Sequence, residues 1–349
     1  MASDNLQTPT KPALLGYTLE ELRSLCVEIG YKPFNGAQIA KWIYQKGASD
    51  FASMTDLPLP LRAALEERFV VGVRKPAESQ RSHDGTAKYL FPTEDGHFVE
   101  TVYIPEAIRA TICVSSQVGC KMQCAFCMTG RQGFQGQLTA ADILTQLFSL
   151  PERAEISNMV LMGQGEPMDN LNAVLRALEV LTAPWGLAWS PRRITVSSVG
   201  IVPGLRRLLD ESKCHVAISL HHPLHEGRMA LMPIERVYAI EEIVSMLKSY
   251  DWTGQRRLSF EYILFDGIND SPADANALIE LLKGLECRVN LIRFHAIPES
   301  RLRGVSEEKM LRFRDMLTNN GVFATIRASR GEDISAACGL LNTEKQNKK

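Results

Sequence analysis

At 349 residues, with 45% apolar and 23% charged side chains, the chain has the make-up of a globular protein with a sizeable core. A formal net charge of −1 excludes a globally basic nucleic-acid coat, so any RNA contact must rest on local patches. No apolar run reaches membrane-spanning length, and Met1-Ala2-Ser3-Asp4-Asn5 carries neither part of a secretory leader, so the expected location is cytoplasmic, with no membrane partner.

Residues 1–13 are polar, contain Pro9 and Pro12, and read as a disordered lead-in. Residues 14–80 read as a helical accessory domain. Thr18 is placed to cap a helix with Glu21 at the capping-box position, and Leu19, Leu22, Leu25, Cys26 and Ile29 repeat at helical spacing. Residues 32–36 read as a turn. A helix over 37–45 follows, with Ile39, Trp42 and Ile43 on one face, and a third over 59–69 after two prolines. Lys32, Lys41, Lys46, Arg62 and Arg68 offer a basic face for RNA, but Glu20, Glu21, Glu66 and Glu67 balance them, so solvated surface is the preferred reading for most.

Over 81–110 the period changes to two, with a β-hairpin turning at Glu94-Asp95-Gly96. Over 111–340 short apolar strands near 111–115, 158–162, 193–198, 214–220, 258–264 and 288–294 alternate with helices near 139–150, 169–181, 202–210, 237–250 and 272–285. Thr139, Asp169 and Ser271 (before Pro272) are the expected N-caps. Such alternation means parallel strands with right-handed crossovers, and six repeats are too few for a closed eight-fold barrel. The expected fold is therefore α/β, an open partial (β/α)6 barrel with a small amino-terminal helical domain and a hairpin extension. A last helix over 306–320, a strand over 322–327 and a basic tail over 341–349 end the chain.

The chemistry centres on Cys120-Lys121-Met122-Gln123-Cys124-Ala125-Phe126-Cys127, directly after the apolar run Thr111-Ile112-Cys113-Val114. Clustered cytosolic thiols usually hold metal rather than bridge one another, and thiolates are soft ligands. Three of them on a [4Fe-4S] cluster leave one iron open to substrate. Structural zinc would want a fourth ligand, and the closest upstream histidine is His97.

In a parallel barrel the chemistry collects where strands end. Gly163-Gln164-Gly165-Glu166-Pro167, Ser197-Ser198, Ser219-Leu220-His221 and His295 fall at such ends and imply a pocket above the cysteine loop. There the glycines would let the backbone approach a ligand, and Glu166 would accept from an ammonium group. His221, His222 and His225 suggest a second metal, but Pro223 interrupts any helix that would align them. Cys26, Cys214 and Cys287 read as buried small hydrophobes. Cys113, Glu100 and Cys338 remain unassigned by cluster or pocket. Cys338 follows Arg327, Arg330 and Gly331 in a small-residue loop, a setting that favours a nucleophilic thiolate.

The triplet spacing with Phe126 resembles the radical S-adenosylmethionine (SAM) superfamily. Val99-Glu100-Thr101-Val102-Tyr103-Ile104-Pro105, Cys113-Val114-Ser115-Ser116-Gln117-Val118-Gly119-Cys120, Thr129-Gly130-Arg131-Gln132-Gly133-Phe134, Gly165-Glu166-Pro167, Ile218-Ser219-Leu220-His221, Leu231-Met232-Pro233-Ile234 and Ala336-Ala337-Cys338-Gly339 narrow the resemblance. Together they resemble the RlmN-type dual-specificity methyltransferases. That resemblance implies methylation of carbon 2 of one adenine in 23S rRNA and of the adenine 3′ of the anticodon in tRNA. It implies a [4Fe-4S] cluster on Cys120, Cys124 and Cys127, and two SAM molecules per turnover. Cys338 would carry the methyl and join the RNA covalently, Glu100 would take the proton from carbon 2, and Cys113 would release the product through a transient disulfide. SAM contacts would come from Gly165, Glu166, Ser197, Ser219, Leu220 and His221, and from His295 where the common pattern has Asn. The target adenine must leave its stack, with Arg192, Arg193, Arg301 and Arg303 as candidate phosphate holders. An electron donor such as flavodoxin is expected, and the chain reads as a monomer. The rivals are a Cfr-type enzyme acting at carbon 8, disfavoured by Gln132-Gly133-Phe134, and a non-catalytic zinc-binding RNA chaperone.

Overall fold

The computed structural model describes residues 11–254, 256–337 and 339–343. Thr18 caps α1 (Leu19–Glu28): its hydroxyl accepts the Glu21 N–H while the Glu21 carboxylate accepts the Thr18 N–H. Residues 32–36, expected as a turn, instead open α2 (Pro33–Ala40). Pro33 stands in the first helical turn, where a missing N–H costs nothing. Gly36 fits inside this helix because α1 crosses so closely that a Cβ there would meet the Arg23 backbone at 2.5 Å. α2 runs into a π turn, Lys41–Lys46, which stops at Gly47 with φ 71°. α3 (Leu59–Arg68) completes the module, and the Leu14 and Leu15 N–H groups donate to Val70 and Val71, both at 2.9 Å, closing its start onto its end. The Pro12 carbonyl accepts the Val70 N–H at 3.0 Å. The remainder of the expected lead-in, residues 1–10, lies outside the described residues, as do Cys338 and tail residues 344–349.

A ten-stranded sheet organises the rest. It starts as an antiparallel ribbon of β1 (Glu78–Arg81), β2 (Ala87–Pro92), β3 (Phe98–Pro105) and β4 (Ala110–Cys113). The expected hairpin is β2–β3. β1 has no counterpart in the sequence reading, because all four of its residues are exposed and none carries a hydrophobic alternation. A two-residue ribbon, β5 (Gln117–Val118) with β6 (Gly136–Gln137), then brackets the cysteine loop and the short helix α4 (Met128–Gln132).

The alternation follows as α5 (Ala140–Phe148), β7 (Ile156–Leu161), α6 (Leu171–Thr182), β8 (Ile194–Ser198), α7 (Val202–Glu211), β9 (His215–Ser219), α8 (His225–Leu231), α9 (Ile240–Leu247), β10 (Leu258–Leu264), α10 (Pro272–Leu282), β11 (Arg288–Arg293), α11 (Glu307–Asn319) and β12 (Ala324–Ile326). Strands β4, β7, β8, β9, β10, β11 and β12 pair in parallel in that order: the open partial barrel expected, with β12 as a seventh strand. Thr139 and Ser271 form capping boxes with Asp142 and Asp274. Asp169 does not cap α6. A 3-10 turn, Pro167–Asn170, intervenes, and the Asp169 carboxylate instead accepts from Gln117 at 2.7 Å and pairs with Lys121 at 2.8 Å.

The parallel strands alternate. Phe260, Tyr262 and Leu264 of β10 pack into the main core beneath the helices, while Ser259 and Glu261 face the lumen, joined there by Asn158, Thr195, Asn290 and Thr325. Polar groups on the inner face cannot close into a dry core, so a lumen of about 450 Å³ stays open.

Candidate active site

Cys120 and Cys124 are buried and Cys127 is half-buried. Gly119, at φ 72°, folds their loop back on itself; a Cβ there would overlap the Gly133 carbonyl, which accepts the Cys120 N–H at 3.3 Å. The loop is seated by the Ala125 N–H, which donates to Leu231 at 2.9 Å, and by the Phe126 ring, edge-on to His221 at 4.6 Å. Burial pushes the Cys120 thiol up to about 12 and the Cys124 thiol well above its ordinary value. Bare, these two thiols would stay protonated, so a metal centre is what would draw them into thiolate form. Three soft donors in one tight loop fit an iron–sulfur cluster with one open position.

Above the loop, Glu166 is buried and accepts the Val199 N–H at 2.9 Å and the Met168 N–H at 3.1 Å. Burial raises its carboxyl to about 7, against those two bonds and the Ser198 hydroxyl. With three donors on its four lone pairs, the carboxylate keeps one acceptor position for an ammonium donor. Gly165, at φ 100°, has no room for a side chain: a Cβ would meet Gln117 at 2.5 Å. His221, at φ 55°, is buried, and burial followed by the Arg228 charge brings its pKa down to about 3. Its Nδ1 accepts the Ile263 N–H at 3.0 Å, so the neutral ring carries its proton on Nε2. Ser197 and Ser219 are half-buried at the ends of β8 and β9, and Leu220 is buried. His295 follows β11 and places Nε2 3.0 Å from the Ser329 hydroxyl and Nδ1 3.8 Å from Glu332. His222 and His225 turn to Leu224 and Glu235, so the three histidines do not converge. Cys26 and Cys214 are buried, and Cys287 is half-buried.

Glu100 and Cys113 come together on β3 and β4, each beside the carboxyl-terminal segment. Glu100 is buried; Lys88 lies 3.0 Å from Oε1, and the Asn342 N–H donates to Oε2 at 2.7 Å. Burial raises its carboxyl, and both partners pull it back. Cys113 packs in a small cluster with Val102, Ala336 and Leu341. Cys338 itself lies outside the described residues, but its flanks are tied to α4. The Met128 N–H donates to Gly339 at 2.8 Å, the Thr129 hydroxyl to Leu341 at 2.8 Å, and the Thr343 N–H to Gln132 at 3.1 Å.

Comparison with known proteins bears on this arrangement. Residues 13–71 match the ribosomal RNA large subunit methyltransferase N-terminal domain, and residues 114–279 match the radical SAM superfamily. A crystal structure of a radical SAM methyltransferase from Sphaerobacter thermophilus superposes with a TM-score of 0.90 at 40% identity, covering 95% of this chain and 99% of that one. A probable dual-specificity RNA methyltransferase RlmN from Bacteroides thetaiotaomicron is 56% identical over 337 residues, covering 97% of this chain and 98% of that protein. The chain belongs to the RlmN family. The dual-specificity RNA methyltransferase RlmN of Syntrophus aciditrophicus, 43% identical over 329 residues, extends the likeness to a more distant relative.

The two family-model matches leave out Glu100, Cys113 and the carboxyl-terminal segment, which the full-length relatives span almost throughout. The sequence reading also missed Arg228, on α8 and fully buried. Its Nη2 donates to Val199 at 2.7 Å and to Ser219 at 2.9 Å, its Nε donates to Leu220 at 3.2 Å, and its Nη1 pairs with the equally buried Glu235. One guanidinium thus ties together the loops after β8 and β9 in this RlmN-family pocket. The available signal was an arginine next to the apolar stretch Leu231-Met232-Pro233-Ile234, with an acid seven positions on. Gln117 and Gln164 were missed as well: Gln117 accepts the Glu166 N–H at 2.8 Å, and Gln164 accepts the Glu100 N–H at 3.1 Å.

Proposed function

We propose that this protein methylates carbon 2 of an adenine in 23S rRNA and of the adenine 3′ of the anticodon in tRNA. A [4Fe-4S] cluster would sit on Cys120, Cys124 and Cys127, with two SAM molecules used per turnover. The observation that carries the reading is the convergence of Glu100, Cys113 and the flanks of Cys338 beside the cysteine loop.

Carbon 2 of adenine lies between two ring nitrogens and is electron-poor, so it does not attack a methyl sulfonium directly. Bound cluster and SAM supply the carbon-centred radical that such a carbon needs. The chain's own residues do the rest. Glu166, Ser197, Ser219, Leu220, His221 and Gly165 hold SAM, with His295 in the position usual for Asn. The Cys338 thiolate takes up the methyl of a SAM sulfonium as a thioether; that methyl would give one hydrogen atom to the radical and bond to carbon 2, with the one surplus electron passing back to the bound cluster, splitting one hard step into easier ones. Glu100 removes the proton from carbon 2. Its burial strengthens it as a base, while Lys88 and the Asn342 N–H keep it anionic beforehand. The Cys113 thiolate then attacks the Cys338 sulfur: the sulfur–carbon bond breaks, its electron pair stays on the carbon, and the proton held by Glu100 returns to complete the methyl group, releasing methylated RNA and leaving a disulfide, which a dithiol reductant restores. A flavodoxin-type protein supplies the electron for the cluster, and the enzyme works as a cytoplasmic monomer.

Nucleoside analysis of rRNA and tRNA from a strain lacking this protein tests the reading. The expected result is loss of 2-methyladenosine from both RNA classes, with its return on complementation. A missing methyl on carbon 8 instead would move the protein to the Cfr type, and unchanged nucleosides would refute both.

A further inference from the structure

The amino-terminal ends of the parallel strands carry a ring of arginines: Arg109 before β4, Arg192 before β8, Arg256 and Arg257 before β10, and Arg288 at the start of β11. Among the described residues, Arg192, Arg256, Arg257 and Arg288 form no ion pair, and only Arg109 has an acidic partner, Glu106. Arg256 Nε is buried without a hydrogen-bond acceptor among the described residues. Arg256 Nη2 donates to the Leu209 carbonyl at 2.8 Å, but guanidiniums gathered with so few paired carboxylates repel each other, and a polyanion would relieve that. Phe323 sits in the same ring, 51% exposed, with the Arg288 guanidinium 5.3 Å from its ring centroid. An exposed aromatic face among phosphate-binding cations suits a single-stranded nucleic acid, with bases stacking on the ring and phosphates on the arginines.

The ring surrounds a depression of about 680 Å³ that shares Arg109, Asn158, Arg192, His215, Arg257 and Arg288 with the lumen. At its other end the lumen is lined by Ala336 and Ala337, which immediately precede Cys338 in the chain. At the carboxyl-terminal end of the strands, by contrast, α4 is tied down by residues 339–343.

We propose that RNA enters through the amino-terminal mouth of the barrel, its phosphates on Arg192, Arg257 and Arg288, and threads its unstacked adenine up the lumen. This rests on the reading that RNA is the substrate. The polar lining of the lumen is what a base edge needs to pass without leaving its hydrogen-bonding groups bare.

The test measures binding of a fluorescent RNA stem-loop, carrying an adenine in its loop, to full-length, cluster-loaded protein over a range of salt concentrations. Replacing three phosphate contacts in R192Q/R257Q/R288Q is expected to weaken binding on the order of 50-fold at 0.15 M salt and to make the log–log salt slope shallower by about 2. R192K/R257K/R288K, which keeps the charge, should hold the wild-type slope, and it serves as the decisive comparison if the glutamine variant does not fold. The entry route is overturned if the glutamine variant, with wild-type iron content, binds RNA with unchanged affinity and slope. It is equally overturned if the lysine variant loses the slope, or if R301Q/R303Q causes the larger loss. Wild-type protein that binds the stem-loop yet never methylates it counts against the proposed reaction and leaves the entry route standing. Wild-type protein that does not bind it overturns both.

Discussion

Glu100 accepts a 2.7 Å hydrogen bond from the backbone of Asn342, a residue 242 positions further along the chain. A buried carboxylate thus reads the position of the segment that carries Cys338. Glu100→Gln keeps an acceptor for Asn342 but removes the proposed base, and it leaves Lys88 without its anion. The expected outcome is a loss of methyl transfer of about 10²- to 10⁴-fold, with iron content unchanged. Transfer within a few-fold of wild type would show that another group takes the proton.

Cys113 packs against Ala336 and Leu341 on either side of Cys338. Under the proposed mechanism, an RNA adduct formed without this thiol has no route to release. Cys113→Ala is therefore expected to purify with RNA bound covalently, seen as a nuclease-sensitive increase in mass. RNA-free protein from methylation-competent cells would remove the resolving role.

Arg228 and Glu235 are both fully buried, so removing one strands the other. Arg228→Met is expected to cost about 3–5 kcal/mol in urea denaturation, and R228M/E235Q to recover part of that loss. A smaller cost, or no recovery in the double variant, would mean that the pair is not what holds the loops after β8 and β9.

His215 sits in the arginine ring with Nδ1 accepting the Arg257 N–H at 2.9 Å. Burial, then the charges of Arg257, Arg192, Arg288 and Arg256, push its pKa down to about 4. The unfolded chain, with histidine near 6.5, binds that proton first, so stability falls as pH drops from about 6.5 to 4 and is flat above. His221, down to about 3, acts in the same direction. The thermal midpoint of His215→Asn should therefore depend less steeply on pH in that window than that of wild type. Parallel curves for the two proteins would exclude His215 as a contributor.

The parallel strands, the capping boxes at Thr18, Thr139 and Ser271, and the cysteine loop were legible because each is written in neighbouring residues. Pro33 and Gly36 misled for the same reason: as local signals they punctuate a turn, but the close crossing of α1 requires a glycine within a helix. Asp169 looks like a cap until Gln117 and Lys121 claim its carboxylate. Arg228–Glu235 has only a faint signature, an arginine with an acid seven positions on, and Glu100–Asn342 has none, since a contact across most of the chain leaves no periodicity to read. The position of Cys338 is in the same class: composition pointed to a reactive thiol, and only folding sets its flanks beside Cys113 and Glu100.

The ties from Met128, Thr129 and Gln132 to residues 339–343 make the cysteine loop and the end of the described chain one mechanical unit. Shortening the chain ahead of Leu341 would unseat the helix behind the three cysteines and strip Glu100 of its backbone donor in one stroke. Conversely, amide exchange at Asn342 and Thr343 becomes a remote gauge of whether the cysteine loop is intact.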